Sequence, residues 1–187
     1  IASCLVGSEM CIRDRFERLR QRGVRIRVLT NSLASNDAPV AHVGYARYRK
    51  ALLRMGIELY EMRAEQPTRL RGLGSSGSQM TSLHAKLVVM DGQVIVVGSM
   101  NLDLRSHLQN TEVALLIRSR QLAAQATATI EPTLSSGAYR LTLDDNRIHW
   151  QAPPGVTPPE GWGEPDASAP LQLLLKIIGP LAPDELL

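Results

Sequence analysis

The sequence predicts an α/β fold in which a mixed β-sheet is flanked by helices. Helix and strand patterns alternate through the first 60 residues, and further apolar strand-like runs lie between positions 83 and 117. An apolar fraction of 44% with 21% charged residues is typical of a globular chain of one domain or two. No apolar run approaches the roughly 20 residues that a membrane-spanning helix needs.

The first four elements are predicted in the order α-β-α-β. The two helices are expected to end at Gly23 and Gly56, because glycine is the usual residue after a helix. In the first strand, Val24, Ile26 and Val28 alternate with arginines, so one face is apolar and the other charged. The predicted ranges are 16–23, 24–32, 45–55 and 57–60.

The later elements follow a glycine- and serine-rich loop at 66–82. Apolar runs at 94–97 and 113–117 predict strands that are buried on both faces. The remaining predictions are strands at 82–90, 93–101 and 111–117, a helix at 119–136 interrupted near Pro132, and a hairpin that turns at 144–146.

The chain divides into four predicted segments. Residues 1–15 contain SEMCIRDR, which resembles an artefactual translation at the end of a fragmentary sequence, so we expect a non-native segment there. Residues 16–152 form the main domain. Residues 153–170 hold six prolines and three glycines, which is typical of a linker. Residues 171–187 predict a short apolar helix and tail, for which packing on the domain is favoured over a lipid surface.

The net charge of +3 is unevenly distributed along the chain. Residues 1–71 carry 14 basic and 7 acidic side chains, whereas 72–187 carry 7 basic and 11 acidic ones. A basic first third is typical of a protein with an anionic partner, although a solvated arginine-rich helix has the same composition. Cys4 and Cys11 are too few for a disulfide scaffold or a complete zinc site.

Four polar side chains are predicted to converge where the Asp91-Gly92 dipeptide joins two apolar strands. If these two residues form a two-residue loop, His84 lies directly opposite Ser99. Opposed residues share a face, as do residues two apart on a strand, so Lys86 and Asn101 join them. An imidazole, an ammonium, a hydroxyl and a carboxamide on one patch predict a site.

This set of groups suits phosphoryl chemistry. An imidazole attacks phosphorus or protonates a leaving oxygen, while lysine and asparagine stabilise the nonbridging oxygens. Glu112, on a neighbouring strand, is a candidate for orienting His84. No carboxylate cluster with metal-ligand spacing accompanies the site, so neither a metal nor a cofactor is expected.

The motif His84-x-Lys86-x4-Asp91, followed by Gly98-Ser99-x-Asn101, resembles the HKD motif of the phospholipase D superfamily. The wider sequence of residues 16–187 is similar to that of bacterial cardiolipin synthases. The resemblance implies a phospholipase D-like half-domain, with a mixed sheet flanked by helices and a phosphohistidine mechanism without metal.

The resemblance also implies a role for each residue of the motif. His84, Lys86 and Asp91 match its catalytic letters, although the position of Asp91 at a hairpin tip favours a turn role. The residues expected to bind the substrate phosphate are Lys86, Ser99 and Asn101, and Glu112 would hold His84.

Relatives in this branch carry two HKD motifs, and their two halves form one active site. This chain has one, because His42, His107 and His149 are not followed by lysine two positions later. The resemblance therefore implies a C-terminal half of a phosphatidyl-transferase, inactive alone. The alternative is a phosphodiesterase or nuclease built from two one-motif chains. The intact motif argues against a third interpretation, an inactive membrane-associated domain.

Partners and location are also implied by the resemblance. We expect phosphatidylglycerol-like phospholipids as substrates and either the missing half or a second copy of the chain as protein partner. A peripheral position on the cytoplasmic side of the bacterial inner membrane is expected, and nucleic acid is not expected to bind.

Overall fold

The computed structural model describes residues 9–36, 39–66, 82–101, 110–157 and 163–178. A single π-helical turn, Thr133–Gly137, connects the third helix to the sixth strand. The elements are α1 (Glu9–Gln21), β1 (Arg27–Asn31), α2 (Pro39–Arg54), β2 (Glu58–Met62), β3 (Lys86–Met90), β4 (Val94–Gly98), β5 (Ala114–Arg118), α3 (Arg120–Pro132), β6 (Ala138–Asp144), β7 (Arg147–Gln151) and α4 (Ala169–Ile178).

The strands form two sheets. The first has the order β1-β2-β6-β7 and is mixed, because β1 runs parallel to β2 while the other pairs are antiparallel. The second is antiparallel and has the order β3-β4-β5. The predicted α/β class, with a mixed sheet and flanking helices, is confirmed.

The main core lies between α2 and the four-stranded sheet. The α2 helix reaches Arg54 and the chain then turns at Gly56, whose φ of 76° is a left-handed conformation that glycine adopts without a steric penalty. Partly buried side chains of α1 and β7 extend this core at its margins. Its buried residues are Val28, Tyr45, Leu52, Ile57, Leu59, Tyr139 and Leu141.

Several predicted boundaries differ from those of the structure. The first helix begins at Glu9 and so runs into the 1–15 segment. Residues 1–8, most of the 66–82 loop, and 179–187 lie outside the described residues. The described part of 153–170 has no strand, and α4 begins at Ala169. The non-native origin of 1–15 and the linker role of 153–170 stay predictions.

The expectation that β4 and β5 are buried on both faces is wrong within the described chain. Ile95 of β4 is buried, but Leu115 and Leu116 of β5 are 58% and 68% exposed, and Val113 before the strand is 64% exposed. Continuous apolar runs are typical of strands that are covered on both faces. These strands therefore have the apolar sequence of covered strands, but the described elements leave β5 exposed.

A buried ion pair between Arg49 of α2 and Glu61 of β2 joins the helix layer to the sheet. The Arg49 Nε atom lies 2.6 Å from Glu61 Oε1, and both side chains are almost wholly buried. The same carboxylate accepts hydrogen bonds from the Tyr45 hydroxyl at 2.9 Å and from Trp150 Nε1 at 2.8 Å. The guanidinium also lies over the rings of Tyr45 and Trp150.

Glu164 ties the proline-rich segment to the same guanidinium. Arg49 donates to its two carboxylate oxygens at 2.5 and 2.9 Å, and His42 Nε2 lies 3.5 Å from Glu164 Oε2. Two residues later, Asp166 accepts a hydrogen bond from the Tyr139 hydroxyl. The segment before α4 is thus fixed to the domain by two carboxylates.

These charges shift several pKa values. Burial raises the pKa of Tyr45, and the nearby Glu61 carboxylate raises it further. Burial opposes ionisation of Arg49, but Glu61 and Glu164 outweigh this effect and leave its pKa raised. For Glu164, burial favours the neutral form, yet attraction to Arg49 lowers the pKa to about 2. The unfolded chain would hold this carboxyl near its ordinary value of 4.5.

We predict that Glu164→Gln destabilises the protein at neutral pH by about 3 kcal/mol. A carboxyl group whose pKa is lower in the folded state than in the unfolded state stabilises the fold at pH values above its unfolded pKa. That contribution is lost as pH falls from about 5 to 2, so the difference in unfolding free energy between wild type and variant should shrink over this window. Urea unfolding across pH tests this. The control, Glu131→Gln, removes an exposed pair with Arg27 and should cost less than about 1 kcal/mol. A difference independent of pH would contradict the prediction.

Candidate active site

The hairpin that carries the motif has a three-residue loop, so the predicted two-residue loop is wrong. Asp91 and Gly92 adopt the expected left-handed φ values of 52° and 62°, and the Gln93 amide donates to the Met90 carbonyl. The carbonyl of Gln93, however, accepts from the Ser119 amide at 2.9 Å, and Met90 pairs with Val94. Gln93 is therefore an extra residue between the turn and the ladder.

This extra residue shifts the register by one position. Lys86 pairs with Gly98, and extending that ladder places Ser99 opposite Ala85. The side chain of Ser99 is therefore expected on one face of the ladder, and the side chains of His84 and Lys86 on the opposite face. The prediction that all four polar side chains share one face is wrong.

His84 and Lys86 do come together, at the point where the chain enters β3. The Lys86 Nζ atom lies 3.1 Å from His84 Nε2 and donates to the His84 carbonyl at 2.9 Å. An ammonium can only donate, so Nε2 must accept, and the proton of the neutral imidazole is then on Nδ1. The imidazole is exposed and therefore open to an incoming phosphate group.

Ser99 lies in a hydrogen-bonded link between the end of β4 and the segment before β5. Its hydroxyl donates to Glu112 Oε2 at 2.5 Å and accepts from the Val113 amide at 3.1 Å. The other oxygen of Glu112 accepts from Asn110 Nδ2 at 3.3 Å. In this geometry Glu112 orients Ser99, and its predicted role in holding His84 stays a prediction.

Asn101 and Asp91 are the remaining polar residues of the motif. Asn101 is half-buried and follows β4, where the shifted register places it beyond Ser99 on the same strand. Asp91 is exposed at the hairpin tip, about 17 Å along the strand from Lys86 at the usual rise per residue. Its left-handed φ fits the predicted turn role, while phosphate binding by Asn101 stays a prediction.

Gly98 has a role that the motif spacing does not reveal. A Cβ atom at this position would lie 2.1 Å from the Val113 carbonyl oxygen and 2.7 Å from Ala114 Cα. Glycine therefore permits the close approach of β4 and β5 that lets the Ser99 amide donate to the Val113 carbonyl at 2.9 Å. A strand glycine is the sequence signal for such an approach.

Asn31 is a site-supporting residue whose contacts the sequence did not reveal. It ends β1, and its side chain bonds to both backbone groups of Leu83, the residue before His84. The neighbouring Ser32 and Tyr45 are buried within the domain.

Comparisons with known proteins identify the family of this chain. A profile described as "Cardiolipin synthase, PLD-like domain" matches residues 1–133. The chain belongs to this family. Cardiolipin synthase C of Escherichia coli K12 is 45% identical over 136 residues, which are 71% of this chain and 29% of that protein. An uncharacterized protein of Helicobacter pylori J99 is 34% identical over 73% of this chain and 27% of its own length.

The fold of this PLD-like domain is also similar to a solved structure. Phosphatidylserine synthase of Haemophilus influenzae Rd KW20 superposes with a TM-score of 0.56 at 17% identity, over 94% of this chain and 37% of that chain. The predicted resemblance and fold are confirmed. The chain matches less than a third of the length of the two relatives compared by sequence.

Two further features concern only the part of the chain that the structure describes. None of its helices combines the length and apolar character needed to cross a membrane. Nor do three or more His, Cys, Asp or Glu side chains cluster there in a way that suits a metal ion.

We predict that Gly98→Ala destabilises the PLD-like domain by about 1–3 kcal/mol, because the new methyl group collides with backbone atoms of Val113 and Ala114. Separation of the strands should also expose the Ser99 amide, which amide exchange followed by NMR measures. Gly92→Ala is the matched control, because a Cβ there meets nothing within 4 Å and only the left-handed backbone is strained. Full protection of the Ser99 amide in Gly98→Ala would show that the close approach is not required.

Proposed function

We propose that this PLD-like domain is one half of a phosphatidyl-transferase of the cardiolipin synthase type. The observation that carries the proposal is the contact between His84 and Lys86 at an exposed position, within a chain 45% identical to cardiolipin synthase C. An ammonium beside an imidazole stabilises the negative charge of a phosphate and leaves a ring nitrogen available for proton transfer.

The proposed reaction has two displacements at phosphorus. A histidine supplied by the other half attacks the phosphodiester of one lipid, the P–O bond to its headgroup alcohol breaks, and a phosphohistidine forms. His84 begins this step as the imidazolium, donates a proton to that leaving oxygen and becomes the neutral imidazole that Lys86 contacts. It then takes the proton from the hydroxyl of a second lipid, which attacks the phosphohistidine and releases the first histidine. Lys86 balances phosphate charge in both steps.

The exposed apolar side chains of β5 support the presence of a second half. Val113, Leu115 and Leu116 are all more than half exposed, and they follow Glu112, the partner of Ser99, along the chain. Large apolar patches next to a site are typical of protein interfaces. We propose that the other HKD half covers this strand and brings the second histidine to the phosphorus atom.

The alternative is a phosphodiesterase or nuclease in which a second copy of this chain covers β5. The same exposed strand favours this arrangement, because a two-fold axis would place two His84 side chains in one site. The two candidates differ in the source of the second histidine and in the acceptor, which is water in the phosphodiesterase.

Although the sequence favours packing of this segment on the domain, helix α4 supports attachment to a lipid surface, because apolar side chains of this helix are exposed. Gln172 bonds to the Glu164 and Ala167 carbonyls, so one side of the helix is fixed to the domain. On the other side, Leu173, Leu174 and Ile177 are 51–61% exposed. Besides the buried Arg49, the adjacent α2 carries three basic side chains, Arg47, Lys50 and Arg54, and no acidic one, which suits an anionic membrane. We propose a peripheral position, on the cytoplasmic side of the bacterial inner membrane.

In the enzyme completed by its second half, His84→Ala is expected to lower lipid turnover by about 10²–10⁴-fold, because the leaving and entering oxygens lose their proton carrier. Lys86→Ala should cause a comparable loss through uncompensated phosphate charge. Asp91→Asn is the matched control, since Asp91 lies at the far end of β3, and it should retain most activity. Thin-layer chromatography of the lipid products measures turnover. Full activity in His84→Ala would refute the proposed mechanism.

The triple substitution of Leu173, Leu174 and Ile177 by serine is expected to abolish cosedimentation of the chain with phosphatidylglycerol vesicles, because it removes the apolar face of α4. Leu116→Ser is the control. It lies on the surface assigned to the second half, so it should leave vesicle binding unchanged. Equal binding by the triple variant and the wild type would contradict attachment through α4.

A further inference from the structure

Asn31 makes a two-point contact with the backbone immediately before His84. Its Oδ1 atom accepts from the Leu83 amide at 2.7 Å, and its Nδ2 atom donates to the Leu83 carbonyl at 3.0 Å. A carboxamide carries the same donor and acceptor as a peptide group, so this pairing imitates one step of a β-ladder with a side chain.

The contact joins two parts of the fold that share no ladder. Asn31 ends β1 in the four-stranded sheet, whereas Leu83 leads into β3 of the three-stranded sheet. A cavity of about 500 Å³ lies between these parts and is lined by Leu29, Leu83 and Ala85, among others. The chain on either side of His84 therefore borders a cavity, and packing holds it less firmly there.

Asn31 itself is held firmly. Its position in β1 is paired with Met62 of β2, and the Ser35 hydroxyl donates to the Met62 carbonyl at 2.9 Å. The same hydroxyl lies 3.4 Å from Asn31 Oδ1. The carboxamide is thus anchored to the rigid sheet on one side and to Leu83 on the other.

We propose that Asn31 is a positioning residue for His84. By fixing the peptide groups of Leu83, it sets the direction in which the His84 side chain leaves the backbone and maintains the contact between the imidazole and Lys86. The catalytic consequence rests on the proposed function, whereas the contact itself does not. Loosening a reacting group by about 1 Å is enough to lower a rate by roughly 10²-fold.

The test uses Asn31→Leu, which keeps the approximate volume and removes both hydrogen bonds. In the 187-residue chain, amide exchange at Leu83 should accelerate by roughly tenfold or more. The ¹⁵N spectrum of the imidazole should change as well. The wild type is expected to hold its proton on Nδ1, and the variant should lose this single tautomer once Lys86 no longer faces Nε2.

Gln66→Ala is the matched control, because the Gln66 amide also donates to two backbone carbonyls, those of Arg63 and Gly137, and neither belongs to the chain that leads to His84. It should leave both Leu83 exchange and the His84 tautomer unchanged. Asn31→Asp keeps an acceptor for the Leu83 amide but has no donor for the carbonyl, so it should not restore the single tautomer.

Activity separates this inference from the proposed function. In the completed enzyme, Asn31→Leu should lower kcat by about 10–100-fold relative to Gln66→Ala, with the KM for phosphatidylglycerol changed little. The positioning role would be overturned if Asn31→Leu left either the Leu83 amide exchange or the His84 tautomer unchanged. It would also be overturned if Asn31→Leu changed both and still had a normal kcat. Absence of turnover in the wild-type completed enzyme would refute the proposed function alone, since the exchange and tautomer signals would still decide the contact.

Discussion

The buried ion pair between Arg49 and Glu61 is the interaction on which the rest of the domain depends. It places an unscreened positive and an unscreened negative charge in the core, so each requires the other and a full set of hydrogen bonds. Tyr45 and Trp150 donate hydrogen bonds to Glu61, and Glu164 accepts hydrogen bonds from Arg49. One pair thus fixes α2, β2, β7 and the segment before α4 relative to one another.

The site takes its position from this rigid layer. Glu61 is paired with Thr30 of β1, one residue before Asn31, whose carboxamide holds the chain that leads to His84. The second sheet then presents Lys86 beside the imidazole and joins Ser99 to Glu112. The groups proposed to bind the phosphate therefore stand at the ends of strands, where the His84 imidazole is exposed while the backbone before it is hydrogen-bonded to Asn31.

The sequence predicted those turns and helix interruptions that depend on a few neighbouring residues. A turn at Asp91 and Gly92, a helix interrupted at Pro132 and a second hairpin at 144–146 all appear, although the loop of the first hairpin has three residues and not two. Positive φ values and helix interruption are local effects of this kind. The pairing of His84 with Lys86 was also predictable, since it needs only their spacing of two.

The strand register and the place of Glu164 were not predicted, because they depend on contacts between residues that are distant in the sequence. In the observed register the Gln93 carbonyl accepts from the amide of Ser119, 26 positions away, and no local pattern signals that bond. Glu164 belongs to a segment whose composition is typical of a linker, yet a buried guanidinium holds it in place. Leu116 differs in the other direction. Its apolar run is typical of a covered strand, yet its side chain is exposed among the described elements.

The central claim is that this chain supplies one histidine of a two-histidine site. The direct measurement is phosphatidylglycerol turnover by the 187-residue chain alone, and after addition of the part of cardiolipin synthase C outside the matched region. We expect no turnover by the chain alone and turnover when the complementary part is present. Turnover by the chain alone, in direct proportion to its concentration and with the chain monomeric, would contradict the claim.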